Sequence, residues 1–572
     1  MEYTQDRAVR TGRAISEAFS ERGRPYAVVV SGAEMDRGEG TARIRFTVVD
    51  PGPPVRFGPT RIHTDSPVDE SVVRDRLAFH EGEDFRPSLL DRTRRQLDAL
   101  PVVQSATVAA SGLEEGDTVV TTEIQINAVA EPRGPEVRGS ISSVRCLELM
   151  GGWRDRYFLS RPNVLTLRAG VGNLLGSQIG GNFPCGGVGE GEVARVNYFA
   201  EGDVAIPWPG RPLGTLSGGA WLRRQSQAGA YVVEGAGGRL RTERPLGDDG
   251  VVWAAYELER IRVRAAGFYY CLNFGACGPE EVARLEMAQR LAPLEVGLRW
   301  APGLGFLRQV PGELDPEDPG ALARWSEDWR LWAQARVRGA GGATGSQIPF
   351  RQGAVTLGAT REVGLRGEGA VRLHAGILSP RRDPLPPQLR FFSGGMQSVR
   401  GSGDYRLGPQ VYPVPEERLA ELDCVPVTEG CADGKHLEIR ERDVRPRGGD
   451  LLVEWNLEGR LQVTRNLQVA AFVDVGFMRT SPEPVPEPAE SSHWEALAAP
   501  GFGIRVFTPA GLLRLDAALD PRGDREVLLV SGDDDLVPMG RGTWNPYTRG
   551  DPGTWREIFR RIHFGLALGQ PF

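Results

Sequence analysis

The chain has 572 residues and a formal net charge of −7, although charged residues make up 25% of it. That length exceeds one ordinary hydrophobic core, so several domains or one large barrel are expected. No concentrated basic stripe is present, which argues against a nucleic-acid partner. Lys435 is the only lysine, and the arginine skew is assigned no function.

The 74 glycines and 43 prolines supply the turn density of an all-β protein. No run approaches the ~20 apolar residues of a membrane-spanning helix. A barrel strand shows lipid only every second residue, so low mean hydropathy still fits a membrane barrel. The start, Met1-Glu2-Tyr3-Thr4-Gln5-Asp6, lacks the charged-then-apolar pattern of a secretory signal. A barrel exported to an outer membrane needs one, so either the sequence begins after it or the gene start lies elsewhere.

In chain order, Arg7 to Ser20 has helical spacing (Val9, Ile15, Phe19), and Gly23 ends it. Alternating runs at Tyr26–Val30 and Ala42–Val49 complete a helix–strand–strand unit over residues 1–55. A second unit, residues 56–130, opens with a strand through Arg61-Ile62-His63 and a helix from about Asp69 to Ala78. After the Glu81-Gly82 turn, a second helix carries Pro87 in its first turn, where the missing N–H costs nothing. Leu90, Thr93, Leu97 and Leu100 are its expected buried face. Strands at Val102–Ala110 and Thr118–Asn127 close a β-α-α-β-β unit.

Residues 131–572 change period. Apart from a short helix candidate at Pro279–Leu291, segments alternate with period two, as strands do. In Glu259–Ala265, Ile261, Val263 and Ala265 oppose Arg260, Arg262 and Arg264. In Leu451–Leu457, Leu451, Val453 and Trp455 oppose Leu452, Glu454 and Asn456. In Leu467–Phe477, Leu467, Val469, Ala471, Val473 and Val475 oppose Gln468, Phe472 and Asp474. In Leu513–Asp520, Leu513, Leu515, Ala517 and Leu519 oppose Arg514, Asp516 and Asp520.

Alternation alone also fits a soluble sandwich. Clustered arginines on one face favour a water-filled lumen, because a dry core does not tolerate them. Aromatics at Trp153, Tyr157-Phe158, Tyr198-Phe199, Trp221 and Phe391-Phe392 are read as interfacial girdles. The end reads as a last strand with Ile562, Phe564, Leu566, Leu568 and Phe572 on one face. The fold expected is therefore an all-β transmembrane barrel of about 16 antiparallel strands behind two small α+β units.

Six cysteines include two pairs close in sequence, Cys271 with Cys277 and Cys424 with Cys431. Disulfides of an oxidising compartment are favoured over zinc, since no CxxC or nearby His pair is present.

Arg56-Phe57-Gly58, Phe79-x-x-Gly82-x-x-Phe85 and the Leu97–Val103 helix exit resemble the POTRA domain, and residues 1–55 resemble its back half. The segment Arg390-Phe391-Phe392-Ser393-Gly394-Gly395-Met396-Gln397-Ser398-Val399-Arg400-Gly401 resembles the sixth-loop motif of the outer-membrane assembly superfamily. The likeness is to the TamA-like side of the BamA/TamA type, the bacterial surface antigen family. Glu454, Phe472-Val473-Asp474-Val475-Gly476, Gly501-Phe502-Gly503-Ile504-Arg505 and Thr508-Pro509-Ala510-Gly511 extend it downstream. Ser402 departs from it, since an aromatic usually follows Arg-Gly there.

The resemblance implies a bacterial outer-membrane location, with the N-terminal domains in the periplasm. It implies that Val399-Arg400-Gly401 folds back into the barrel and that Arg400 meets Glu454 and Asp474 on the inner wall. It further implies a weak seam between the first strand (about Glu136–Cys146) and the last (about Ile562–Phe572). Pro571, Gly565 and Gly569 weaken the latter. The implied partners are unfolded outer-membrane or secreted clients, membrane lipid and a periplasm-spanning or inner-membrane protein.

The function the resemblance implies is an outer-membrane assembly or translocation factor that helps insert or export β-rich client proteins through that gated seam; the alternatives are a two-partner-type secretion pore and a passive outer-membrane porin. No Walker A loop, HExxH or GxSxG is present and the six histidines are scattered, so no enzyme, cofactor, metal or catalytic residue is expected.

Overall fold

The structure is a computed structural model. It describes residues 5–36, 41–64, 68–112, 117–142, 146–179, 185, 191–208, 214–227, 230–247, 249–274, 276–302, 329–364, 366–380, 387–419, 436–437, 439, 443–480, 493–508, 511–531, 538–547 and 555–568.

Helix α1 (Gln5–Ser20) precedes the antiparallel pair β1 (Val28–Asp36) and β2 (Thr41–Asp50). The next unit contains β3 (Arg56–Thr64), α2 (Glu70–Arg74), α3 (Pro87–Asp98), β4 (Val103–Ser111) and β5 (Val119–Ala128). Its sheet order is β3-β5-β4, with β3 parallel to β5. Pro87 stands at the start of α3, and the buried face is Leu89, Thr93, Gln96 and Leu97. Leu100 beyond the helix is also buried, whereas Leu90 is only partly so.

The Phe-Gly-Phe spacing has a direct physical cause. Phe57 stacks on Phe79 at 4.0 Å and lies 5.2 Å from Phe85. Gly82 turns the chain at φ +85, and its N–H donates to the Phe57 carbonyl at 2.7 Å. The two units are tied by Glu21, whose carboxylate accepts from the Ser88 N–H and hydroxyl at the start of α3.

The barrel begins with β6 (Arg133–Ser142), β7 (Cys146–Phe158), β8 (Asn163–Leu174), β9 (Asn197–Pro207), β10 (Thr215–Gln227), β11 (Tyr231–Leu246) and β12 (Gly250–Ala265). It continues through β13 (Gln289–Leu291), β14 (Leu294–Trp300), β15 (Arg330–Ala340), β16 (Phe350–Val363) and β17 (Gly367–Pro380). Short strands β18 (Gln410–Val414), β19 (His436–Leu437) and β20 (Arg445–Pro446) lie in the connection that follows. The wall resumes with β21 (Leu451–Thr464), β22 (Leu467–Thr480), β23 (His493–Thr508) and β24 (Gly511–Leu519). After β25 (Arg525–Ser531) and β26 (Pro538–Trp544), β27 (Ile562–Leu568) ends the ring beside β6.

Both β13 and β14 pair with β12 across the break at Ala292-Pro293, so they form one interrupted strand. The ring therefore has 16 antiparallel strands, as the alternation predicts. Tyr157, at one end of β7, packs against the Val68–Leu97 core of the second unit. That contact marks the end of the barrel that faces the N-terminal units.

At the opposite end, β19-β26-β25-β18-β20 form a small sheet over the lumen. Its core includes Tyr412, Val414, Val444, Leu529 and Trp544. Helix Gly267–Phe274, closed by the Cys271–Cys277 disulfide, brings Phe268 and Leu272 against Val411 and Val530. The far mouth is thus capped by the chain's own loops.

Several expectations change. The first strand ends at Ser142, and Cys146 opens the second, where it forms a disulfide with Cys185. Spacing gave no signal for this pair, because 39 residues separate the cysteines. Cys424 and Cys431 lie outside the described residues, as does Phe572. The helix at Pro279 stops at Leu285. In β12 the arginines face outward, while Ile261 and Val263 are buried inside against Phe391 and Leu452. The reason is the loop that fills this part of the lumen and supplies an apolar surface. Trp153 and Tyr198 are on the outer face, but Phe199 and Trp221 point inward, and Phe391-Phe392 belong to the loop.

Candidate functional site inside the barrel

On β21, Leu452, Glu454, Asn456, Glu458 and Arg460 are buried, while Trp455 and Leu457 are half exposed. The period of two therefore places one row of polar side chains inside and one apolar row against lipid. The same parity brings Phe472 and Asp474 inward on β22, Gly501, Gly503 and Arg505 on β23, and Arg514 and Asp516 on β24. Four adjacent strands thus build one patch of charge.

The connection from β17 to β21 enters this patch. Phe391 pairs with Gly449 through two backbone hydrogen bonds, and Leu407 donates to the Ser393 carbonyl at 3.1 Å. Gly394 and Gly395 have φ of +108 and +91, which a side chain would strain. They reverse the chain so that Val399-Arg400-Gly401 faces the wall. The Gly395 N–H then donates to the carbonyls of Val399 and Ser402.

Arg400 is 2% exposed. Its Nε and Nη2 donate to the two Asp474 oxygens at 2.6 and 2.8 Å, and its backbone N–H adds a third bond at 3.0 Å. Its Nη1 donates to Glu458 at 2.6 Å and Asp516 at 3.3 Å. The planar fork lets one cation span three strands. Beneath it, the Phe472 ring lies 3.3 Å from the guanidinium carbon. Gly501 leaves space for that ring, because a β-carbon there would collide with it.

The acids are shared. Arg505 donates to Asp516 at 3.0 Å and Glu458 at 2.8 Å, and Arg460 donates to Glu458 at 2.7 Å. Arg514 donates to the Met396 carbonyl at 2.7 Å and lies 3.4 Å from Asp516. Arg400, Arg460, Arg505 and Arg514 thus surround Glu458, Asp474 and Asp516. A nearly balanced, hydrogen-bonded cluster is what permits so many charges away from water.

Glu454 takes a different partner from the one expected. It accepts from the hydroxyls of Ser393, at 2.7 Å, and Ser398, and lies 3.5 Å from Arg372. Asn456 donates to Asp474 and to the Ser398 carbonyl, both at 2.8 Å, so the two halves form one network. Glu458, Asp516 and Arg505 were not singled out from sequence as loop partners. Parity places each of them inward, on a strand already containing Glu454, Arg514 or Gly501, and leaves open which loop atom it meets.

Packing completes the seat. Val399 and Leu407 cluster with Leu497 and Ala499. A β-carbon on Gly476 would meet Val399 at 2.7 Å, and one on Gly401 would meet Ala499 and the Leu519 carbonyl. At the loop tip, the Met396 side chain lies over Gly565 of β27. Phe564 is 66% exposed on the outer face of that strand, while Ala567 is buried inside.

Among the described residues no group of three or more His, Cys, Asp or Glu has a metal-holding arrangement. The site's chemistry is mechanical and electrostatic: it fixes a loop against four strands and touches the last.

Residues 339–566 match the Omp85 superfamily domain. No curated protein sequence matches the chain. Among solved structures, BamA from Haemophilus ducreyi lacking POTRA domains 1–3 is similar at 13% identity and TM-score 0.57, covering 100% of this chain and 94% of that one. CdiB from Acinetobacter baumannii is similar at 12% identity and TM-score 0.51, covering 99% and 82%. CdiB from Escherichia coli gives 12% identity and TM-score 0.50, covering 99% and 85%.

Proposed function

We propose that this chain, an Omp85-type outer-membrane protein with its small N-terminal domains in the periplasm, assembles client β-strands at a gated seam of its barrel. The single observation carrying the proposal is the loop network. Arg400 locks the loop to β21, β22 and β24, while Met396 reaches β27 beside the first strand. The seated loop stiffens the wall near the seam and leaves the edge between β27 and β6 as the part that opens. Gly565 lies in the interior of β27, where a glycine weakens a strand.

An opened strand edge presents unpaired N–H and C=O groups, which template an incoming strand. The proposed role is non-catalytic, and the proposed partners are unfolded outer-membrane or secreted proteins. A periplasm-spanning or inner-membrane protein is a further proposed partner of the N-terminal domains.

The likeness to the two CdiB structures supports a second reading, a secretion pore for one specific partner. Depletion of the protein followed by quantitative profiling of the outer membrane separates the two. The assembly reading expects several unrelated barrel proteins to fall together. Loss of one secreted protein with unchanged barrels would replace it with the secretion reading.

A further inference from the structure

On the outer face of β12, Tyr256 and Leu258 are exposed in the apolar band, 36% and 45% respectively. The next residues of that face are Arg260 and Arg262, both exposed. Each step along one face advances about 7 Å, which brings Arg260 to the headgroup level directly above the apolar band. On the neighbouring wall Val296 and Leu294 are exposed, Ala292 is buried, and Arg290 beyond it is exposed again. This is the end of the barrel away from Tyr157 and the N-terminal units, so these arginines face the outer leaflet.

Arg260 and Arg290 stand directly opposite each other in the antiparallel ladder. Like charges in that position repel unless an anion lies between them. The nearby acids are engaged elsewhere. Glu234, opposite Arg262, holds Arg264 at 2.7 Å, and Glu192 lies 3.5 Å from Arg224. Glu286 acts on Arg262 and Arg264 through charge, and its carboxyl also bonds Tyr270. No acid is placed between Arg260 and Arg290 among the described residues.

Arg290 is also held in place. Its N–H donates to Gln347 Oε1 at 2.6 Å, and its Nε donates to the Gly345 carbonyl at 2.5 Å. That fixes the guanidinium at its Nε edge. Planar forks bind phosphate oxygens in pairs, which suits arginine better than a point charge.

We propose that Arg260, Arg262 and Arg290 form a binding site for the phosphate groups of an outer-leaflet glycolipid, whose acyl chains lie along Tyr256, Leu258 and Leu294. The ligand commits the site to the membrane: the apolar strip below the cations has no role in holding a free anion. A bound lipid would brace β12 against the interrupted β13–β14 strand.

The test uses the full chain in nonionic detergent, with binding read by native mass spectrometry. The probes are bis-phosphorylated lipid A, the same lipid A without its phosphates, and inorganic phosphate. The expected result is a discrete complex with the phosphorylated lipid. Removing the phosphates, or the double substitution Arg260→Gln with Arg290→Gln, weakens it by about tenfold or more. Arg244→Gln, an exposed outward position near the other end of the barrel, leaves it unchanged. Arg290→Gln alone is the second variant should the double one lose its heat-modifiable, folded migration. Equal binding of the dephosphorylated lipid, retention by the arginine variants, or equal loss in Arg244→Gln would overturn the proposal. Inorganic phosphate held as tightly as the lipid would also overturn it, by showing a free-anion site.

Discussion

Arg400→Ala is expected to unseat the loop and abolish assembly activity while the barrel strands still pair. The substitution removes the two guanidinium hydrogen bonds to Asp474 and the contacts to Glu458 and Asp516, all within a cluster shielded from water. The backbone bond from residue 400 can survive, but the guanidinium bonds cannot. Arg460 and Arg505 still neutralise Glu458 and Asp516, whereas Asp474 keeps only the Asn456 amide among the side-chain donors described for it.

Breaking a buried ion pair by deleting one partner costs about 3–5 kcal/mol. A loss of that size exceeds what the small apolar seat around Val399 can supply, so the docked state ceases to dominate. The measurement is maleimide labelling of Ser402→Cys, since Ser402 is 1% exposed in the seated loop. Labelling is expected to accelerate by about two orders of magnitude or more, in line with that cost. Unchanged labelling with lost activity would place the role of Arg400 elsewhere.

Gly401→Val should produce the same phenotype with every charge intact. A β-carbon at that position meets the Ala499 methyl and lies 2.8 Å from the Leu519 carbonyl, and both belong to the rigid wall. Overpacking of this kind costs about 1–3 kcal/mol, so the expected effect is smaller than for Arg400→Ala but in the same direction. Gly401→Ala should fall between Gly401→Val and the natural protein. The same labelling assay and the same activity assay check this series. If Gly401→Val were as active as the natural protein, close approach to β23 and β24 would not matter to function, and the seat would be electrostatic alone.

The two substitutions clarify what was legible in the residues themselves. Period-two alternation in Leu451–Leu457 and Leu467–Phe477 sorted inner from outer positions, because a side-chain period of two follows from strand geometry alone. Asp474 as a wall residue for Arg400 followed from that parity together with the family likeness. Its companions Glu458 and Asp516 did not, because parity says which face a residue occupies and not which loop atom it meets. Glu454 shows the same limit: it is inward, yet serine hydroxyls rather than Arg400 reach it.

The misassigned arginines of β12 expose a different limit. A polar row marks the lumen side only where the lumen is wet. The loop makes part of the lumen apolar, so Ile261 and Val263 turn inward and Arg260 and Arg262 turn out. Only the non-local packing of residues 387–391 against that wall reveals the inversion. The Cys146–Cys185 pair gives no spacing signal because the pairing of β7 with β8 brings the start of β7 beside the β8–β9 connection, 39 residues along the chain.

The edge between β27 and β6 is expected to open while the loop stays seated. Cysteine pairs spanning Arg133–Ser142 and Ile562–Leu568 lock that edge when oxidised, and insertion of an unfolded barrel client into vesicles containing the protein is then followed. Insertion is expected to stop on oxidation and return on reduction, with each single-cysteine variant active throughout. Insertion at the unlocked rate through a fully crosslinked seam would contradict the claim.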